Sequence, residues 1–328
     1  MRTLLSLVSL PLLATFAPSG LFEMPLLPEH AWLAAAPVPL NEEAPARRRL
    51  GALDYLGGWV LTSNDPRFGG ISAIHVADGA VLALSDAGSV MRFNLPGEKP
   101  AHLSIRALAD GPGSADIKAD RDSESMLVDG QRAWIGFEGR NAVWRSSLAT
   151  WKSEARAAPP AMRKWPSNSG SEAMLRFPDG RFLVFSEGRR GPEGSTEVLL
   201  FDSDPAEAGA KAKRLGYRAP EGYRITDATL LPDGRILFLN RRFTLLEGVS
   251  AKLTIGSLPQ AGEGDILSGV ELASFARPVT VDNMEALSVT QEGARTIVWI
   301  ASDDNFSALQ RTLLLKFALN ESADASGQ

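Results

Sequence analysis

The chain has 328 residues, 44% hydrophobic and 22% charged, with 34 Lys and Arg against 39 Asp and Glu for a net charge of −5. That balance leaves no basic surface for nucleic acid, and the lack of any cysteine removes disulfides, thiol catalysis and every Cys-based metal site. The length allows one large domain or two ordinary ones, and the 30 glycines and 21 prolines suit a fold rich in turns. A monomer is expected.

Met1-Arg2-Thr3 precedes an apolar run from Leu4 to Ala17. One positive charge before such a run matches a secretory signal and is short for a bilayer span. Residues 1–20 therefore read as a signal peptide or a retained N-terminal anchor, and the protein as exported, to the periplasm or beyond. Residues 21–46, rich in Pro, Ala and Leu without a period, read as an extended lead-in. A propeller domain is expected over 47–320 and a disordered tail over 321–328.

From residue 69 onward one short phrase recurs five times: GGISAI, DSESML, GSEAML, ITDATL and NMEALS. Taking Ser72, Glu124, Glu172, Asp227 and Glu285 as equivalent, the spacings are 52, 48, 55 and 58 residues. Each copy leads to a turn and a second apolar run ending in polar residues. Pro178-Asp179-Gly180 and Pro232-Asp233-Gly234 mark two of the turns, with Pro presetting φ and Gly accepting a positive one. A repeat of about fifty residues holding several short strands predicts an all-β propeller. Third strands are expected at 90–95, 142–147, 197–202, 251–258 and 311–319, and outer strands near 102–108, 156–163, 214–218 and 270–275. The fifth copy ends without an outer strand, while strand-like residues 50–62 precede the first. An N-terminal strand that completes the last blade would close a five-bladed ring; six blades is the alternative if 47–62 holds more than one strand.

The first strand of each propeller blade lines the channel, so equivalent positions form rings about the axis. Glu124, Glu172, Asp227 and Glu285 are then expected around one rim as catalytic groups and, with Asp303, as metal ligands. Carboxylates this crowded cannot all ionise without a positive partner. A second column holds Asp86, Glu138, Glu187, Asn240 and Asp303, and Arg140, Arg189 and Arg242 follow two residues later. Oxygen ligands suit a hard cation such as Ca²⁺, while Arg140, Arg189 and Arg242, with Glu138 and Glu187, would bind a small anion or phosphate ester. Any one of these acids is as well explained by stitching neighbouring blades together; an acid in four of five copies favours a functional rim. His30, His75 and His102 fall outside both columns, and no nucleophile elbow, phosphate loop or H-E-x-x-H is present.

At these residues the chain resembles the family called esterase-like activity of phytase. The carriers are Phe68-Gly69-Gly70-Ile71-Ser72-Ala73, Asp122-Ser123-Glu124-Ser125, Phe137-Glu138-Gly139-Arg140-Asn141, Gly170-Ser171-Glu172-Ala173-Met174 and Asn283-Met284-Glu285-Ala286-Leu287. The resemblance implies an exported bacterial β-propeller with phosphoesterase or esterase activity. Two expectations follow: a metal-assisted phosphoric-ester hydrolase, or a periplasmic propeller that binds a ligand or protein without chemistry.

Overall fold

The computed structural model describes residues 27–320 apart from 29, 96, 98–101, 116, 168 and 259–261. The expected signal or anchor and the C-terminal tail lie outside the described residues. Five small antiparallel sheets stand around one axis as the blades of a propeller. Blade 1 holds Ile71–Ala77, Ala80–Ser85, Ser89–Asn94 and Leu103–Ala107. Blade 2 holds Ser123–Asp129, Arg132–Phe137, Ala142–Ser147 and Ser153–Ala157. Blade 3 holds Ser171–Arg176, Phe182–Arg190, Thr196–Phe201 and Ala212–Arg218, and blade 4 holds Arg224–Leu230, Ile236–Thr244, Gly248–Gly256 and Val270–Phe275. Blade 5 begins with Met284–Glu292, Arg295–Ser302 and Thr312–Leu319.

The fourth strand of blade 5 is Leu53–Ser63, antiparallel to Thr312–Leu319, so the two ends of the domain are hydrogen-bonded into one sheet. Closure removes two open edges at once. The six-bladed alternative falls, because among the described residues the only other strands before residue 71, Arg49–Leu50 and Leu33–Pro37, both pair with Leu53–Ser63 in this same sheet. The lead-in is correspondingly less featureless than expected: Leu33–Pro37 is a fifth strand on the outer edge of blade 5, and Leu40 is wholly buried. Two further differences concern outer strands. In blade 2 the outer strand lies at Ser153–Ala157 instead of 156–163, where Pro159 and Pro160 lead into a 3₁₀ turn at Pro160–Lys164. Proline donates no ladder hydrogen bond, so the strand stops before the pair. In blade 3 a short strand from blade 4's last connection, Ile266–Ser268, adds in parallel to Ala212–Arg218.

The blades are held together by apolar side chains between their faces. Trp134, Trp165 and Phe182 pack between blades 2 and 3; Phe185, Tyr217 and Phe238 between blades 3 and 4; Phe275, Phe317 and Tyr55 where blades 4 and 5 meet. Inner strands are also stitched by hydroxyls. Ser72 Oγ donates to Ser123 O at 2.7 Å, Ser125 Oγ to Ser171 O at 2.8 Å, and Thr226 Oγ1 to Met284 O at 3.0 Å. Ser288 Oγ accepts the Val76 N–H at 3.0 Å and joins blade 5 to blade 1.

Gly58 sits directly opposite Leu315 in the closing pair. A Cβ there would meet the Tyr55 hydroxyl at 2.5 Å and Leu315 Cδ2 at 2.6 Å. Gly58→Ala should cost about 1–3 kcal/mol by overpacking the seam, read as a lower urea midpoint at unchanged slope. An unchanged midpoint would contradict this account of ring closure.

Candidate functional site

In all five blades the first strand carries one extra residue near its start, a β-bulge opposite the second strand. Pairing skips Ser72 between Ile71 and Ala73, Glu124 between Ser123 and Ser125, and Glu172 between Ser171 and Ala173. It skips Thr226 between Ile225 and Asp227, and Glu285 between Met284 and Ala286. A bulged residue is released from the strict alternation of the strand and its side chain is re-aimed. The equivalent ring is therefore Ser72, Glu124, Glu172, Thr226 and Glu285.

Asp227 is not a member of that ring. Its carboxylate accepts the Ala228 N–H at 2.7 Å and, from blade 5, the Leu287 N–H at 2.7 Å. This is the stitching role; burial pushes its pKa well up, and the two N–H donors pull it back. The slip was countable: six residues back from Pro178 is Glu172, and six back from Pro232 is Thr226.

The same one-residue correction applies to the second column. Asp86, Glu138, Glu187 and Asp303 donate their N–H groups to Gly70, Asp122, Gly170 and Asn283. In blade 4 the residue facing Arg224 in that register is Arg241, with Asn240 one step earlier. The second ring thus reads Asp86, Glu138, Glu187, Arg241 and Asp303, four acids and one guanidinium. Asn240 is wholly buried and accepts from the Tyr217 hydroxyl at 2.8 Å.

Both rings lie at one mouth of the channel, and their charges feel one another. Burial pushes the Glu124 carboxyl well above its ordinary range, and Asp122, Asp86, Glu138 and Glu285 push it further. Burial does the same to Glu172, reinforced by Glu124, Glu187, Glu285 and Glu138. Glu285 is pushed up to about 8 by burial, against the pull of Arg241. Burial raises Glu138 to about 7, with Asp122 adding to it, and raises Asp303 to about 7 against the Asn305 N–H it accepts. Asp122, Glu124 and Glu138 each present a carboxylate oxygen within 4.8 Å of the others, a set able to hold a metal ion. Asp303 is not one of those three; it accepts the Asn305 N–H at 2.7 Å.

Three cations reach this mouth. Arg241 Nε is 3.1 Å from Glu285 and its Nη2 is 4.0 Å from Glu187, while Arg224 is 3.5 Å from Glu187. Lys118, on the short helix Lys118–Arg121 between blades 1 and 2, is 2.6 Å from Asp86 and 3.9 Å from Asp122. Burial pulls the Lys118 pKa down, but Asp86, Asp122 and Glu124 more than reverse it. Two of the arginines expected here are engaged elsewhere: Arg140 pairs with Asp120, and Arg242 pairs with Glu247 and lies 5.0 Å over the Tyr223 ring. Arg189 donates its main-chain N–H to Ser186 Oγ, and its side-chain Nε is buried without a hydrogen-bond partner among the described residues. Nothing links these three to the carboxylate rings among the described residues.

The Phe-Gly-Gly phrase also finds its reason here. Gly69 and Gly70 hold φ of +132° and +61°, and the Asp304 carboxylate receives the Gly70 N–H at 2.9 Å. A Cβ on Gly70 would meet Asp86 Oδ1 at 2.5 Å and the Phe306 ring at 2.4 Å. Asp86 Oδ1 itself is buried and accepts no hydrogen bond.

These carboxyls have raised pKa values in the folded state, so the folded protein binds more protons than the unfolded one between the two values. Their contribution to stability is complete below the unfolded pKa, near 4, and is lost as pH rises through the folded values of about 7 to 8. The thermal midpoint of metal-free protein should fall by roughly 5 °C between pH 5 and pH 8. A flat or rising midpoint in differential scanning calorimetry over that window would contradict the crowding.

A family model described as Phytase-like: Esterase-like activity of phytase matches residues 66–306 of the chain. No curated protein matches it. Among solved structures, the chain is similar to the Myxococcus xanthus glutaminyl cyclase at 11% identity and a TM-score of 0.41, covering 76% of this chain and 91% of that one. It is similar to the Kuenenia stuttgartiensis hydrazine synthase at 11% identity and a TM-score of 0.38, covering 74% of this chain and 59% of that one. A chain of a mitotic checkpoint complex is similar at 13% identity and a TM-score of 0.37, with 82% and 72% covered. The chain thus spans less than two thirds of the hydrazine synthase chain. All three TM-scores lie below 0.5, so these likenesses say nothing about chemistry.

Proposed function

The chain belongs to the esterase-like activity of phytase family, and from that footing we propose that it is a metal-assisted phosphoric-ester hydrolase working at the carboxylate mouth of the propeller. The observation that carries the reading is the convergence of Asp122, Glu124 and Glu138 within 4.8 Å of one another. Nothing but a cation or protons makes three such groups compatible. The donor set fits a hard cation: every ligand is a carboxylate oxygen, as Ca²⁺ prefers, and Asp86 Oδ1 close by is buried without a donor. Asp122, Glu124 and Glu138 would hold the ion, which supplies charge neutralisation at a phosphate ester and a more acidic bound water.

The remaining steps belong to the chain's own residues. Glu285, with its pKa near 8, stays largely protonated at neutral pH and can give a proton to a leaving alkoxide. Arg241 keeps that carboxyl in place at 3.1 Å. Lys118 and Arg224 stand on two sides of the mouth and can neutralise phosphate oxygens, while Arg140 and Arg242 are taken up by Asp120 and Glu247. Glu172, buried among the other acids, is a second proton reservoir. The reading includes export, for which the apolar run of residues 4–17 is the support; an exported protein meets calcium at levels that a weak, partly open site can use.

Two measurements test it. Turnover of 4-nitrophenyl phosphate or inositol hexakisphosphate should require a divalent cation, be abolished by chelator, and fall by roughly 10²-fold or more in Glu124→Gln. Turnover indifferent to both, or none with any cation, would overturn the hydrolase. Separately, Ca²⁺ binding near pH 6.5 should release protons as Glu124 and Glu138 give them up, seen as a buffer-dependent heat in titration calorimetry. Binding with this signature but no turnover would leave a ligand-binding propeller; no proton release would remove the ion from these residues.

A further inference from the structure

We propose that the cleft between the outer halves of blades 1 and 2, at the end of the propeller opposite the carboxylate mouth, binds an organic anion with an apolar body. Blades fan apart with distance from the axis, so the outer gap between neighbours must be filled by large side chains or left open. Between blades 2 and 3, 3 and 4, and 4 and 5 it is filled by the aromatic groups described above. Between blades 1 and 2 the inner half is filled in the same way, with Phe137 against Trp144 and Trp151 beneath. The outer half is not: Ala80 and Ser104 face Gly130 and Ala149, and a cleft of about 530 Å³ results. That is within the size range of small-molecule sites.

Its chemistry is two-sided. The floor is apolar, built by Leu82 and Val90 of blade 1 with Val128, Leu148 and Trp151 of blade 2. The rim carries Arg92 and Arg106. In the strand pairing Val90 faces Arg106 and Arg92 faces Ser104, so both arginines stand diagonally on the face turned to blade 2. Both side chains are exposed, and neither has an ion-pair partner among the described residues. The other titratable lining groups are Asp78 and His75. Burial pulls the His75 pKa down, outweighing the opposing pull of Asp78. A carboxylate, sulfonate or phosphate head would meet two guanidiniums while its apolar part covers Trp151 and its neighbours. The second, smaller cleft between blades 5 and 1, about 340 Å³, has Lys316 already paired with Glu292 at 2.7 Å and offers no such free pair.

The probe is 8-anilinonaphthalene-1-sulfonate, titrated by fluorescence against the full chain at pH 7, with its uncharged relative N-phenyl-1-naphthylamine alongside. One saturable site is expected. The Arg92→Gln/Arg106→Gln variant should weaken the sulfonate by roughly tenfold or more while changing the neutral probe less than about twofold. Ala149→Trp, which fills the cleft, should exclude both. Because this dye also lights up partly unfolded protein, the thermal midpoint of each variant must match the parent. Several weak equivalent sites, no binding, or equal binding by parent and variants would overturn the proposal.

Discussion

A β-bulge at the start of each inner strand is the constraint from which the site follows. An ordinary strand alternates its side chains between two faces, so a propeller's inner strand would give its polar groups to the blade interfaces. One unpaired residue per blade breaks that rule at the same height in all five. Where the bulged residue is Ser72 or Thr226, its hydroxyl is used up in binding the next blade's backbone. Where it is Glu124, Glu172 or Glu285, a carboxylate joins a crowded, poorly solvated space. The repeat builds the geometry, and departures from the repeat provide the chemistry.

That crowding explains why the cations at the mouth come from places the repeat does not mark. Arg241 replaces an acid in the second ring, and Lys118 arrives on a four-residue helix in a connection. Each is a partial solution to like-charge repulsion. Lys118 reaches Asp122 at 3.9 Å, while Glu124 and Glu138 have no ion pair among the described residues. Burial and mutual repulsion push Glu124 and Glu138 toward their protonated forms at that point.

Much of this was legible in the residues. The five copies, their turns, the number of blades and the closing N-terminal strand follow from period and from counting strands. Glu124, Glu172 and Glu285 were identifiable because their phrases repeat almost letter for letter. In blade 4 residue type points to Asp227, which resembles the glutamates of the other copies, while Thr226 holds the register. Residue type is a weaker guide than distance to a shared turn, and Pro232 marked that distance. Asp122 stood in view in DSESML, but only the fold shows its oxygen beside Glu138. Lys118 lies in an unrepeated loop, and no pattern of spacing announces it. Leu33–Pro37 is hidden for a different reason: LAAAP has no polar residue to alternate with, and Ala and Pro are poor strand formers, so an outer-edge strand leaves no period-two signal.

The most direct measurement of the central claim is anomalous scattering from crystals soaked in a heavier analogue of calcium, such as terbium. The account predicts a peak bounded by Asp122, Glu124 and Glu138 that disappears in Glu124→Gln. A peak elsewhere, or none with those three carboxylates well ordered, would contradict it.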